Sequence, residues 1–212
     1  MYPAGNDMFN EDFSKKLSVK EQEIFHRFTT KFFCKRAHLN IQPITAVLCT
    51  RVKAPDRNDW NKLVQMMKFL YTAREGVLGM SADRGPFSLH WYVDASFVVH
   101  PDLRSHSGLV GKFKGGKGSV VSGSDKQKLN TDSSTMAELV GTHQYLPKIL
   151  YAPLFLSEQG YDVKENVVYQ YNKSAILLET NGKPSSGKLT MALNIRYFLI
   201  TDQVKKGNLK IK

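Results

Sequence analysis

Cysteine is nearly absent. The 212 residues contain two, Cys34 and Cys49, and their spacing fits no zinc or redox pattern. Both sit among apolar neighbours, so they read as buried free thiols in a reducing compartment, intracellular and either cytoplasmic or nuclear. Long apolar runs are also missing. None approaches the roughly 20 residues that cross a bilayer, which removes a spanning helix and a membrane partner from consideration. The opening MYPAGNDMFNEDFSKK lacks a basic start followed by an apolar stretch, so it carries no secretory signal. Internal repeats and low-complexity segments are not found. Acidic side chains are in short supply: 19 Asp and Glu face 30 Lys and Arg, for a net charge of +11. Such an excess attracts polyanions, nucleic acid before anionic lipid.

The excess is concentrated. Between Arg104 and Thr131 six basic residues (Arg104, Lys112, Lys114, Lys117, Lys126 and Lys128) accompany a single acid, Asp125. From Gln203 onward the chain adds Lys205, Lys206, Lys210 and Lys212 with no acid. The first group is the candidate nucleic-acid-binding set, because contacts to phosphate need cations more than any particular sequence. Hydrophobic residues make up 42% of the chain, enough for a packed core and too many for wholesale disorder.

Residues 1–17 read as a mobile leader. Ser18 and Glu21 form a capping box that opens a helix with Ile24, Phe25, Phe28 and Phe32 at helical spacing. A short helix is expected over Ile41–Val52. A third, opened by Asp56 and running to Glu75, places Trp60, Leu63, Val64, Met67, Leu70 and Tyr71 on one face. Residues 18–80 thus form a helical segment, and the Gly85-Pro86 break marks a boundary before a second unit at 86–212. There Leu89, Trp91 and Val93 alternate along a strand ending at Asp94, and two glycine-punctuated runs complete a meander. Ser133-Ser134-Thr135 caps a helix carrying Glu138, which Pro147 ends or kinks. VVYQY is a fourth strand, Asn172 caps the next helix, Lys188–Lys206 is a further helix and NLKIK a last extended piece. Strands first, then strands alternating with helices, imply an α/β fold with a mixed five-stranded sheet and flanking helices, preceded by a small helical layer.

Three lookalikes fail on chemistry. GKFKGGKG (111–118) nearly fits a phosphate-binding loop, but Gly118 replaces the hydroxyl that ligates magnesium, and strand rather than helix follows. YVDA (92–95) offers one aspartate where two-metal polymerase chemistry needs adjacent carboxylates. Asn172-Lys173-Ser174 is formally a glycosylation sequon, but without a secretory signal it reads as a helix cap.

WYVDASFVVHPDLRSHSG (91–108), DKQKLNTDSSTMAELVG (125–141), VYQYNKSAI (168–176) and NIRYFLITD (194–202) resemble the ribonuclease H region of copia-type retrotransposon polyproteins. Upstream, IFHRFTTKFF and TRVKAPDRNDWNKLVQMMKFLYTARE look like the helical end of the reverse transcriptase preceding that region. The resemblance implies a ribonuclease H-like fold that cuts the RNA strand of an RNA–DNA hybrid. That reaction uses two magnesium (or manganese) ions about 4 Å apart, which want carboxylate and water oxygens. The family supplies four acids. Asp94 of YVDAS matches the first and Glu138 of MAEL the second, and these two are the candidate metal ligands. Tyr171 stands at the third position and Asn194 at the fourth. Ala192 replaces a family histidine, and Met136 an acid in the Ser-Ser-Thr-Glu-Ala-Glu run. A phenol with a pKa near 10 stays protonated at neutral pH and is a poor magnesium ligand. Asn194 keeps a neutral carbonyl oxygen.

The expectation is a nucleic-acid-binding remnant with a degenerate catalytic centre and no polymerase activity. Its partner is an RNA–DNA hybrid or another nucleic acid, and its metal weak or absent. One alternative is an active metal-dependent hybrid ribonuclease on reduced ligands, with Asp202 as a remote substitute acid. Another is an interaction remnant in which Phe25, Phe28 and Phe32 meet the rest of a reverse transcriptase. The last is a decayed copy without selected role.

Overall fold

The computed structural model describes residues 6–9, 14–29, 38–76, 78–82, 85–182 and 194–212. Among the described residues three α-helices come first. Helix α1 (Val19–Phe28) starts at the Ser18–Glu21 capping box and closes at Thr29. Helix α2 (Gln42–Arg51) follows a 3-10 turn at Leu39–Ile41. Helix α3 (Arg57–Thr72) starts at a second capping box, Asp56 with Asp59. Arg51 grips both acids of that box, Asp56 at 3.3 Å and Asp59 at 3.1 Å, which fixes the turn between α2 and α3. Leu17, Phe25, Ile41, Ile44, Leu48, Leu63 and Met66 fill the small core between them. Phe25 is therefore spent on packing and presents no surface to a partner; Phe28 is exposed. Phe32 and Cys34 lie outside the described residues. Cys49 is only half-buried, against the expectation of burial; its Sγ lies 3.5 Å from the Thr29 carbonyl.

The second half is a mixed five-stranded sheet. Its strands are β1 (Phe87–Ser96), β2 (His106–Phe113), β3 (Val121–Lys126), β4 (Val163–Tyr169) and β5 (Lys210–Ile211), ordered β3-β2-β1-β4-β5. Strands β1, β2 and β3 form the expected antiparallel meander, while β4 runs parallel to β1 and β5 parallel to β4. Alternation along β1 sends Leu89, Trp91 and Val93 inward, where they meet Tyr145, Leu146 and Ile149 of helix α4 (Ser134–Glu158). Helices α5 (Lys173–Asn181) and α6 (Asn194–Lys205) complete the cover, and Ile200 of α6 joins the same core. This is the ribonuclease H-like mixed α/β arrangement expected from the sequence.

Helix α4 does not end at Pro147. It runs unbroken through Pro147 and Pro153. An internal proline costs about 3 kcal/mol, but Tyr145, Leu146 and Ile149 are all buried beside it. At roughly 1.5–3 kcal/mol for each buried side chain, packing on the sheet outweighs the lost backbone bond. The core also tolerates no Cβ at two strand positions. A Cβ on Gly111 would lie 2.3 Å from the Trp91 ring, and one on Gly123 2.7 Å from Tyr145. The Trp91 indole N–H donates to Asn166 Oδ1 at 2.6 Å. Asn166 Nδ2 in turn donates to the carbonyls of Ile149 and Asn208, which ties β1, β4, α4 and the approach to β5 together.

The two halves touch. Helix α2 lies against edge strand β3, where Gln42 Nε2 donates to Ser122 Oγ. Phe9 packs its ring edge-on against His100, with centroids 5.0 Å apart. Among the described residues no helix is long and apolar enough to cross a membrane.

Candidate metal and nucleic-acid site

Asp94 lies near the carboxyl end of β1, opposite Gly108 of β2, with its side chain exposed. Glu138 lies near the start of α4, which begins at the Ser133 cap; Ser133 Oγ accepts from the Met136 N–H at 3.2 Å. Gly141 allows the helix to approach the sheet, since a Cβ there would stand 3.3 Å from Ser107 Oγ and 3.6 Å from Val93. That approach delivers Glu138 to Asp94. The Glu138 carboxyl accepts from the Ala95 backbone N–H and shares a hydrogen bond with the Asp94 carboxyl. Burial, then the charge of Asp94, pushes Glu138 up to about 7. Only 7% of the residue is exposed, and its Oε2 has no hydrogen-bond partner in the protein. Two touching carboxyls with an orphan oxygen suit a proton or a cation between them. Met136, two residues earlier, is buried with Leu139, Val140 and Leu178, so the acid facing β1 is Glu138.

Strand β4 ends at Tyr169, so Tyr171 sits in the loop beyond it rather than at the strand end. The loop is tied in place by Asn172. Its Oδ1 accepts from the N–H groups of Ser174 and Ala175, and its Nδ2 donates to Thr135 Oγ1 at 3.3 Å, in the first turn of α4. Tyr171 itself is 88% exposed. Asn194 begins α6, and its side chain lies outside the described residues, as does Ala192. Asp202 lies two turns beyond Asn194 and pairs with Lys206 at 2.7 Å. Among the described residues no group of three or more His, Cys, Asp or Glu could hold a metal ion. The structure brings Asp94 and Glu138 together and, among the described residues, adds no third acidic ligand.

Beneath this pair lies a polar cluster that sequence reasoning missed. Glu179 of α5 is fully buried. Gln170 Nε2 donates to its Oε1 at 3.1 Å and also bonds Thr142 Oγ1, while Glu179 Oε2 has no partner. Burial pushes Glu179 up to about 8, and the charge of Glu138 adds to the shift; the Thr142 and Gln170 bonds oppose it. The signal was present, since Glu179 is four residues from buried Ala175 on the inward stripe of a short helix.

The six candidate nucleic-acid-binding cations do not form one patch. Arg104 and Lys126 both pair with Asp102, at 3.4 and 2.8 Å, an acid two residues outside the stretch read as basic. Lys128 is exposed just beyond β3. These three lie toward the Asp94 end of the sheet. Lys112 pairs in register with His90, four residues before Asp94 and so roughly 13 Å away. Lys114 and Lys117 follow in the turn at that far end, where the Lys117 N–H donates to Ser81 Oγ.

No family model matches the chain, and no curated protein does either. Solved structures do. A foamy viral protease–reverse transcriptase in complex with double-stranded DNA superposes with a TM-score of 0.55 at 16% identity, over 98% of this chain and 33% of that one. The solution structure of the prototype foamy virus RNase H domain gives a TM-score of 0.41 at 14% identity, over 60% of this chain and 79% of that one. This chain thus spans about one-third of the length of the foamy viral polyprotein chain. At such identity the first likeness speaks to the fold: a ribonuclease H-like mixed sheet following helices, as in a retroviral-type reverse transcriptase.

Proposed function

We propose that this chain derives from a copia-type retrotransposon polyprotein, and that its ribonuclease H-like domain grips nucleic acid without cutting it. The observation carrying this reading is the pair Asp94–Glu138, which stands alone beside a loop where an exposed phenol, Tyr171, occupies the place of an acid. The metal fit follows from the same atoms. The orphan Glu138 Oε2 and the adjacent Asp94 suit one divalent ion, magnesium or manganese, and these two residues would hold it. They do not suit a pair of ions, since no third acidic ligand stands among the described residues. The net charge of +11 supports binding to a hybrid or another nucleic acid through phosphate contacts.

The test is an RNA–DNA hybrid titrated at rising salt, beside a cleavage assay on the wild type and Tyr171→Asp in magnesium and in manganese. We expect binding that weakens steeply with salt, no cleavage by the wild type, and a gain of cleavage in Tyr171→Asp. Absent or salt-insensitive binding overturns the reading. Wild-type cleavage that stops on Asp94→Asn replaces it with an active hybrid ribonuclease on reduced ligands.

A second reading, an interaction remnant, draws on the helical segment. Ile24, Phe28, Trp60, Met67 and Tyr71 line an open apolar groove between α1 and α3. The remainder of a reverse transcriptase is the partner this reading implies.

A further inference from the structure

The sheet has a second face, away from α4, which the hybrid reading does not use. On it Tyr92 of β1 stands in register with Tyr169 of β4, and the two rings stack with centroids 5.1 Å apart and planes 14° apart. His90 meets Tyr169 edge-on at 5.2 Å. The Lys112 ammonium lies 5.5 Å over the Tyr92 ring. Further lysines lie near it. Lys112, Lys114 and Lys212 all act on His90, whose pKa is lowered first by burial and then by those charges. Lys210 pairs at 2.9 Å with Glu165, an acid on the same face. Helix α2 lies against β3, and over β1 and β2 Tyr92 and Val110 remain 36% and 41% exposed.

We propose that this face is a binding surface for single-stranded nucleic acid, with the Tyr92–Tyr169 stack as a base platform and Lys112, Lys114, Lys210 and Lys212 as phosphate contacts. Aromatic rings set in a field of lysines are the ordinary means of holding an unpaired strand without reading its sequence. The charge balance excludes an acidic surface and complements a polyanion. The flat stack discriminates against a duplex, whose base faces are hidden inside the helix. Lys112 supplies a gate. Its weak hold over an exposed tyrosine gives way to a base, which stacks more strongly on the same ring. The freed ammonium then lies within reach of that nucleotide's phosphate. The surface is independent of the Asp94–Glu138 pair, so it does not rest on the function proposed for that pair.

The test is fluorescence anisotropy on the full chain with a labelled oligothymidylate and, separately, a labelled RNA–DNA hybrid. Two variants are used: Lys112→Gln with Lys114→Gln, which removes two charges from a half-buried and an exposed side chain, and Tyr92→Leu with Tyr169→Leu. We expect each to weaken single-strand binding about tenfold, the scale of losing one stacked base or two phosphate contacts, and to weaken hybrid binding distinctly less. The lysine variant should also flatten the salt dependence, by about 0.7 in log–log slope for each phosphate that is no longer neutralised. Single-strand affinity unchanged in both variants overturns the proposal. Equal losses on both nucleic acids also overturn it, because they mark one diffuse field. Binding of polyglutamate in place of the oligothymidylate overturns it in favour of an acidic polypeptide. Single-strand binding without hybrid binding upholds this face and removes the hybrid-gripping function.

Discussion

Glu179 is a carboxyl buried without a cation beside it, and its titration gives a sharp signature. Its folded pKa of about 8 lies above its ordinary 4.5, so the folded chain keeps a proton that the unfolded chain releases. Stability therefore falls as pH rises from 4.5 to 8 and is level beyond. Glu138, raised to about 7, acts in the same direction and finishes earlier. His100 and His106 act oppositely. Burial lowers both from 6.5 to about 4, so their contribution is lost as pH falls through that window. Between pH 6.5 and 8 the carboxyl effects alone remain. We expect the melting temperature to fall across that interval. Glu179→Gln should remove most of the fall and gain roughly 2–4 kcal/mol at pH 8.5, with no gain at pH 5. Thermal melts at the two pH values check this, and equal effects at both would refute the buried neutral acid. Gly111 makes a steric case at the same scale. Gly111→Ala should cost about 3 kcal/mol in denaturant unfolding, because the Trp91 ring has no room to retreat. Gly108→Ala, where the nearest atom is 3.8 Å away, should cost less than about 1 kcal/mol.

At the scale of elements, α4 and the β4–α5 loop carry the site. Helix α4 keeps two internal prolines because the sheet packs beneath it, so Pro147 is a local cost within a favourable whole. Pro147→Ala restores a backbone donor and removes a ring clash, at the expense of a floppier unfolded chain. The expected net gain is about 1–2 kcal/mol by denaturant titration. A loss would mean that the helix is kinked there for packing. In the loop, Asn172 both caps α5 and ties itself to Thr135. Asn172→Ala should cost about 1 kcal/mol, whereas Asn172→Asp should keep the cap and lose only the bond to Thr135. Comparing the two melts separates the cap from the tie.

For the whole molecule, two cores of unequal size meet at the seam between α2 and β3. Among the described residues the helical core has seven buried residues and the sheet core ten, and the latter is cross-tied by Trp91 and Asn166. Amide hydrogen exchange should therefore be faster in α1 and α3 than in β1 and α4; uniform protection would show one cooperative unit. Much of this architecture was legible in the chain. The Leu89, Trp91, Val93 alternation, the caps at Ser18, Asp56, Ser133 and Asn172, and the glycine-punctuated meander depend on neighbours within four residues, the range over which periodicity and capping act. The motif matches also named Asp94 and Glu138, although only the fold shows them touching. What depends on distance between elements was not legible. The chain alone did not reveal that Asp102 would occupy Arg104 and Lys126, or that Cys49 would reach the surface. Nor did it reveal that Lys112 would stand over a tyrosine stack. Sequence determined the elements and the identity of the acids, because local backbone chemistry is short-ranged. Tertiary structure alone decided which charges meet, which are buried and which face water, because Coulomb forces and desolvation follow spatial separation and not order along the chain.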